Sequence, residues 1–309
     1  MSKIKNVTTL GAGVLGAQIA FQTAYHGFTV SIYDVNNEAI TLARKRFEDL
    51  ATTYLAEVRG ANKDNTTAAL SRISCFTDLS AAVIDADLVI EAVPEVLTIK
   101  QDTYTKLSKL APTKTIFATN SSTLLPSALK GFTGRPDKFL ALHFANRVWE
   151  HNTAEVMGTS DTDQAVFQTV VNFAEAIGMV PILIHKEKAG YVLNTLLVPL
   201  LKAAAELAAE GICDPQDVDK VWRIATGAPL GPFQIYDLVG LTTPYNILSQ
   251  GNQKDQKLAT WLKDNFIDKG KLGVASGEGF YTYPTGNSGP IVHSSNTTMT
   301  PPRPFNDDH

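Results

Sequence analysis

Val7-Thr8-Thr9-Leu10-Gly11-Ala12-Gly13-Val14-Leu15-Gly16 is the stretch on which the fold turns. Residues 7–10 read as a short strand, and Leu15–Tyr25 reads as a helix, with glycines at 11, 13 and 16 between and within them. In that setting each glycine has a physical task. Gly11 permits a tight turn, Gly13 lets backbone amides come close to a pyrophosphate, and Gly16 lets the helix pack against the strand. The amides that open the helix, at Val14 and Leu15, then face the anion. A glycine-rich turn without a ligand is the bland alternative. The strand–loop–helix setting counts against it, and so does the acid that closes the next strand.

That next strand, Thr29–Asp34, ends in a carboxylate where one would accept hydrogen bonds from the adenosine ribose. Val35-Asn36-Asn37 follows, with no arginine to receive a 2′-phosphate, so the pattern predicts NAD rather than NADP. Further strand patterns stand at Asp87–Ala92, Thr115–Ala118, Phe139–His143 and Val180–Ile184, mostly separated by amphipathic stretches. Such alternation predicts an α/β chain with a Rossmann-type, doubly wound, mostly parallel sheet covered by helices on both faces. Residues 37–72 are too long for one crossover and read as a helical excursion turning near Gly60–Asp64. After about Lys186 a stripe of Leu193, Leu196, Leu197, Leu200, Leu201, Ala204, Leu207 and Ala208 opens an all-helical region, with Pro199 expected to kink its first helix. Helical patterns follow at Pro215–Thr226, Phe233–Val239 and Asp255–Lys269, and a last strand pattern at Gly279–Tyr283. The predicted domains are 1–187, 188–284 and a loose, non-periodic tail over 285–309.

A net charge of −4 disfavours a nucleic-acid partner. The longest apolar stretch, Val192–Leu201, is too short to span a membrane, and residues 1–10 do not read as a signal peptide. Cys75 and Cys213 have no ligand spacing; they read as free thiols in a reducing, cytoplasmic compartment, and no metal is expected.

Polar residues collect just past the carboxyl ends of two strands, where doubly wound sheets bind ligands. One group is Thr119-Asn120-Ser121-Ser122-Thr123; the other begins at His143 and continues to Glu155. A histidine titrates near neutrality and can take the proton of an alcohol that is losing hydride. Glu155 is the candidate carboxylate to fix the ring's tautomer and steady the imidazolium. The plainer readings stay open at this point: His143 as a satisfied core residue, Ser121–Thr123 as a turn and N-cap before a Leu124–Leu129 helix. Asp237 reads as structural, and His151 and His185 are unassigned. Asn194, inside an apolar helix, needs a polar partner.

The chain resembles the L-3-hydroxyacyl-CoA dehydrogenases, the family that includes 3-hydroxybutyryl-CoA dehydrogenases. The resemblance runs from about Lys3 to Tyr283. It rests on Glu91-Ala92-Val93-Pro94-Glu95 with Lys100, the Asn120-Ser121-Ser122 segment, His143-Phe144 with Asn146, Glu155, Gly190-Tyr191-Val192-Leu193-Asn194, Gly231-Pro232-Phe233 with Asp237, and Gly277-Glu278-Gly279-Phe280-Tyr281. It implies reversible, NAD-dependent oxidation of the 3-hydroxyl of an L-3-hydroxyacyl-CoA, with His143 as base, Glu155 behind it, and Ser122 and Asn194 at the substrate oxygen. Glu95 and Lys100 would hold the cofactor, with Asn120 near the nicotinamide end. It also implies dimerisation through the helical domain, and CoA contacts on the excursion that carries Arg44, Lys45, Arg46, Arg59 and Lys63.

One segment departs from the family pattern of Phe-Phe-Asn-Pro and then apolar residues. Here Phe144-Ala145-Asn146-Arg147-Val148-Trp149-Glu150-His151-Asn152 lacks the proline and gains Arg147, Trp149 and His151. Arg147 could meet a substrate carboxylate as readily as the surroundings of a thioester. A dehydrogenase of a non-CoA 3-hydroxy acid or carnitine-like alcohol is therefore an alternative substrate reading, and a non-catalytic NAD-binding protein is an alternative of another class.

Overall fold

The computed structural model describes residues 4–283, and the tail read over 285–309 lies outside them. The chain divides into two compact units that part between Leu193 and Asn194.

The first unit is built on an eight-stranded sheet: β1 Asn6–Leu10, β2 Thr29–Tyr33, β3 Ile73–Phe76, β4 Leu88–Glu91, β5 Ile116–Thr119, β6 Phe139–Phe144, β7 Thr153–Gly158 and β8 Val180–Ile184. Their order is β3-β2-β1-β4-β5-β6-β7-β8, and every neighbouring pair is parallel except the antiparallel β6–β7. The order reverses between β1 and β4, which opens the crevice where such sheets take ligands. Six helices accompany them: α1 Val14–Tyr25, α2 Asn37–Glu57, α3 Lys63–Ser71, α4 Leu79–Val83, α5 Leu97–Leu110 and α6 Gln164–Ala176.

β4 reads as an unbroken apolar run because both of its faces are covered. Leu88 and Ile90 pack towards Val166, Val170 and Phe173 of α6, while Val89 packs towards Tyr104 and Leu107 of α5. A third cluster joins Phe21 of α1 to Phe47 and Tyr54 of α2. The excursion is a pair of helices, each started by an asparagine whose side chain accepts from a backbone amide: Asn36 from Ala39 and Asn62 from Asn65. Helix α2 packs beside α1 through Phe47, Tyr54 and Phe21.

Three local readings of the sequence are corrected. β3 and β7 were not legible as strands: β3 is a four-residue, half-exposed edge, and β7 carries a glutamate at its centre. The Leu124–Leu129 helix is replaced by short 3-10 turns at Pro126–Ala128 and Lys130–Phe132. Gly279–Tyr283 forms no strand, only isolated bridges linking Glu278 to Gly273 and Thr282.

In the second unit lie α7 Leu193–Ala209, which starts at the junction, α8 Pro215–Thr226, α9 Pro232–Val239, α10 Thr242–Ser249 and α11 Gln253–Asn265. Helix α7 runs through Pro199 and buries Leu201, Ala204, Ala205 and Ala208 against Phe233, Tyr236, Trp261 and Phe280. Two buried aspartates tie this core together. Asp219 accepts from the amides of Phe233 and Gln234 and so caps α9, and Asp237 accepts from the amides of Phe280 and Tyr281. Among the described residues no helix is long and apolar enough to cross a membrane.

Candidate active site

The loop after β1 is shaped by close backbone contacts. Gly11 has φ of 92°, and a Cβ on it would stand 2.5 Å from the Ala92 carbonyl oxygen. A Cβ on Gly16 would overlap the Gly11 carbonyl, so α1 sits on the loop with no room for a methyl group. Gly13 is different. A Cβ there would meet nothing within 4 Å, and α1 begins at Val14 without a side-chain cap. Open space before uncapped first-turn amides, including those of Val14 and Leu15, fits a bound pyrophosphate.

Asp34 stands directly after β2. Its Oδ2 accepts from the Ala12 amide at 2.7 Å and its Oδ1 from the Val35 amide at 2.7 Å. A carboxylate fixed there can receive ribose hydroxyls and repels a 2′-phosphate. We expect NADH to bind more tightly than NADPH, and Asp34→Ala to weaken NADH binding and narrow that gap in a fluorescence titration. A wild-type preference for NADPH would refute this reading. On the facing helix, Arg46 donates to the Ala12 carbonyl at 3.1 Å, whereas Arg44, Lys45, Arg59 and Lys63 are exposed.

β4 ends in Glu91, wholly buried, beneath the next group of residues. Its Oε1 receives the Lys100 ammonium at 2.5 Å, and its Oε2 accepts from Thr119 Oγ1 at 2.8 Å and the Tyr104 hydroxyl at 3.2 Å. Lys100 is 1 % exposed and also lies 3.3 Å from Glu95 Oε2. It therefore works from below, as the cation between two carboxylates. Glu95 Oε1 gathers the loop after β5, accepting from Ser121 Oγ, the amides of Ser122 and Thr123, and Thr123 Oγ1. Burial alone would raise the Glu95 carboxyl; the Ser121 hydroxyl, the Lys100 charge and the Thr123 donors outweigh it and hold the pKa at about 2. Asn120 closes the group, its Oδ1 accepting from the Phe144 amide at 2.9 Å, which ties the end of β5 to the end of β6.

His143 and Glu155 face each other across the antiparallel β6–β7 pair, in direct register. Opposed residues in such a pair project to the same side of the sheet. His143 Nδ1 lies 2.9 Å from Glu155 Oε2, and His143 Nε2 lies 3.0 Å from Ser122 Oγ. Both members of the pair are buried. The other oxygen of Glu155 accepts from the amides of Val192 and Leu193 at 2.8 and 3.1 Å. Burial would raise the Glu155 carboxyl, but the His143 hydrogen bond and these two amides prevail and lower it. The carboxylate stays ionised behind the imidazole, and the ring presents Nε2 to the serine.

His143, Glu155, Ser122, Asn120, Glu95 and Lys100 thus form one connected polar set, while Gly11–Gly16 and Asp34 lie on the β1 and β2 side. Asn194 begins the second unit, as the second residue of α7. Sequence reasoning gave no role to Glu91 or Tyr191. A charge ending the apolar run Leu88-Val89-Ile90 is the signal that could have found Glu91, because a buried carboxylate demands a counter-charge. Arg147 is engaged within the chain: its guanidinium bonds to Glu57 at 2.8 Å and Glu150 at 2.5 Å, and Trp149 Nε1 joins it on Glu57 at 2.8 Å. The segment that departs from the family pattern is therefore clamped onto the C-terminal end of α2.

Residues 6–188 match the 3-hydroxyacyl-CoA dehydrogenase NAD-binding domain and residues 190–283 match the 3-hydroxyacyl-CoA dehydrogenase C-terminal domain. The chain is 34 % identical to human mitochondrial hydroxyacyl-coenzyme A dehydrogenase over 288 residues, covering 91 % of each protein. It is 32 % identical over 277 residues to a probable 3-hydroxybutyryl-CoA dehydrogenase of Deinococcus radiodurans, covering 89 % of this chain and 98 % of that one. Among solved structures it is 66 % identical to a diketoreductase described for substrate-directed dual catalysis of dicarbonyl compounds, with a TM-score of 0.89 over 92 % of this chain and 100 % of the other. With both halves matched, this chain is an NAD-dependent oxidoreductase and belongs to the 3-hydroxyacyl-CoA dehydrogenase family.

Proposed function

We propose that the chain interconverts the 3-hydroxyl of an L-3-hydroxyacyl-CoA and the corresponding 3-ketone, reversibly, with His143 as the acid–base group. The arrangement of His143 carries the reading: Nδ1 on a buried, ionised carboxylate and Nε2 on a serine hydroxyl, at the carboxyl edge of the sheet. NAD supplies the hydride acceptor, and NADH the donor. In the oxidising direction His143 Nε2 takes the hydroxyl proton, Ser122 holds the substrate oxygen, and Glu155 steadies the imidazolium. Glu95 orders the serine loop, with Lys100 fixing Glu95 from below. Asn194 joins the proposal through the family resemblance alone.

A second substrate reading is favoured by the 66 % identity to a diketoreductase. A 3-ketoacyl thioester is itself a 1,3-dicarbonyl, so the same site chemistry serves a thioester or a free dicarbonyl. The clamp of Arg147 and Trp149 on Glu57 lies in the segment where this chain leaves the family pattern. NADH oxidation should be followed with acetoacetyl-CoA, acetoacetate and a free 1,3-diketo ester side by side. A kcat/KM highest for acetoacetyl-CoA is expected on the first reading. A preference of tenfold or more for the free diketo ester would replace it with the second, and no turnover of any of the three would sink both.

The helical unit is also proposed to carry a homodimer interface. Leu196 on α7, and Val221 and Ile224 three residues apart on α8, are 68 %, 67 % and 76 % exposed, apolar side chains that a second subunit would cover. Light scattering at micromolar concentration should give twice the 33.4 kDa chain mass; a monomeric mass would exclude the dimer.

A further inference from the structure

The turn Gly190–Leu193 touches the dyad twice. Its Tyr191 ring lies flat against the His143 imidazole, with centroids 4.5 Å apart and planes 17° from parallel. Its next two amides, from Val192 and Leu193, hold the Glu155 oxygen that does not face the histidine. The backbone that makes this possible is unusual. Gly190 and Tyr191 are both left-handed, with φ of 81° and 53°. Glycine adopts that conformation freely; a bulky residue does so only where its surroundings hold it. Here Tyr191 is 1 % exposed and packed with Ala141 and Met157 of the two strands that carry the dyad.

We infer that Tyr191 is a positioning residue for the base: its ring face fixes the plane of the His143 imidazole and favours the imidazolium formed as the substrate's proton is taken. The inference rests on the reading of His143 as the base. An aromatic face attracts a cation, and a stacked neighbour removes one side of the ring from water. Glu155 acts in the ring plane through Nδ1, whereas Tyr191 acts from above it. Both interactions are stronger with the charged ring than with the neutral one, so they lower the barrier rather than simply tightening substrate binding. The same turn thereby sets the base and its carboxylate together.

Three variants separate the ring from the turn. Tyr191→Phe keeps the ring, Tyr191→Leu keeps bulk alone, and Tyr191→Asn suits the left-handed backbone without an aromatic face. Tyr191→Phe should keep kcat within about twofold of wild type. The Asn and Leu variants should lose about tenfold or more in kcat, the scale of a desolvated cation–π contact, with KM and NADH affinity nearly unchanged. Wild-type kcat in either ring-free variant, or an equal loss in Tyr191→Phe, would overturn the assignment. His143→Ala measured alongside distinguishes the two levels. Turnover surviving in His143→Ala refutes the base itself, whereas an inert His143→Ala beside a fully active Tyr191→Asn removes only the role of Tyr191. If the ring-free variants fail to bind NADH, the proton NMR spectrum of the wild-type protein decides. The His143 ring protons, assigned by their loss in His143→Ala, should be displaced upfield by the stacked ring, and undisplaced signals would overturn the assignment.

Discussion

His143→Ala should lower kcat by about a hundred- to ten-thousand-fold, the range that a positioned general base contributes, equivalent to about 3–5 kcal/mol of barrier. NADH affinity should change little, because the imidazole at the end of β6 bonds to Glu155 and Ser122 and makes no bond to the Gly11–Gly16 loop or to Asp34. Glu155→Gln keeps the shape of the side chain and removes the charge that the imidazolium needs. It should slow turnover less than the loss of His143. It will also loosen the Val192 and Leu193 amides, which the carboxylate now holds. The double variant should be no slower than His143→Ala, since the carboxylate has no imidazolium to stabilise once the ring is gone. Multiplying losses in the double variant would show that Glu155 has a separate task, and near-normal turnover of His143→Ala would refute the mechanism.

The parts of this molecule that were readable in the sequence are those governed by local rules. Glycines 11, 13 and 16, between a strand and a helix and in that helix's first turn, have few alternative explanations, and the run Leu88-Val89-Ile90 reads as a strand, which the structure covers on both faces. β7 was lost because its central position is Glu155, a residue that interrupts an apolar pattern for chemical reasons. The pairing of His143 with Glu155 depends on the antiparallel register, in which a shift of one residue would send the carboxylate to the opposite face. No local pattern encodes that register. Tyr191 was hidden for a different reason: a Gly-Tyr pair announces a turn but not the ring it will meet. Lys100 illustrates a third limit. The resemblance implies that it helps hold the cofactor, and no local pattern told that its ammonium is buried between Glu91 and Glu95.

The nucleotide loop offers the sharpest contrast between stability and binding. Gly16→Ala places a methyl group into the Gly11 carbonyl, which is backbone and cannot turn aside. Such overpacking costs about 1–3 kcal/mol, which in a domain of this size lowers Tm by several degrees. Gly13→Ala meets no protein atom within 4 Å, and its φ of −63° suits any residue, so the apoprotein should melt at the wild-type temperature. If the pyrophosphate is held by the first-turn amides, the added methyl group stands in its path. Losing one charge-assisted hydrogen bond of about 1.5–3 kcal/mol weakens NADH binding by about ten- to a hundred-fold. Thermal melts of the two apoproteins and NADH titrations of both check the pair. A Gly13→Ala protein that is destabilised as an apoprotein, or that binds NADH like wild type, would show that the space before α1 is not where the dinucleotide lies.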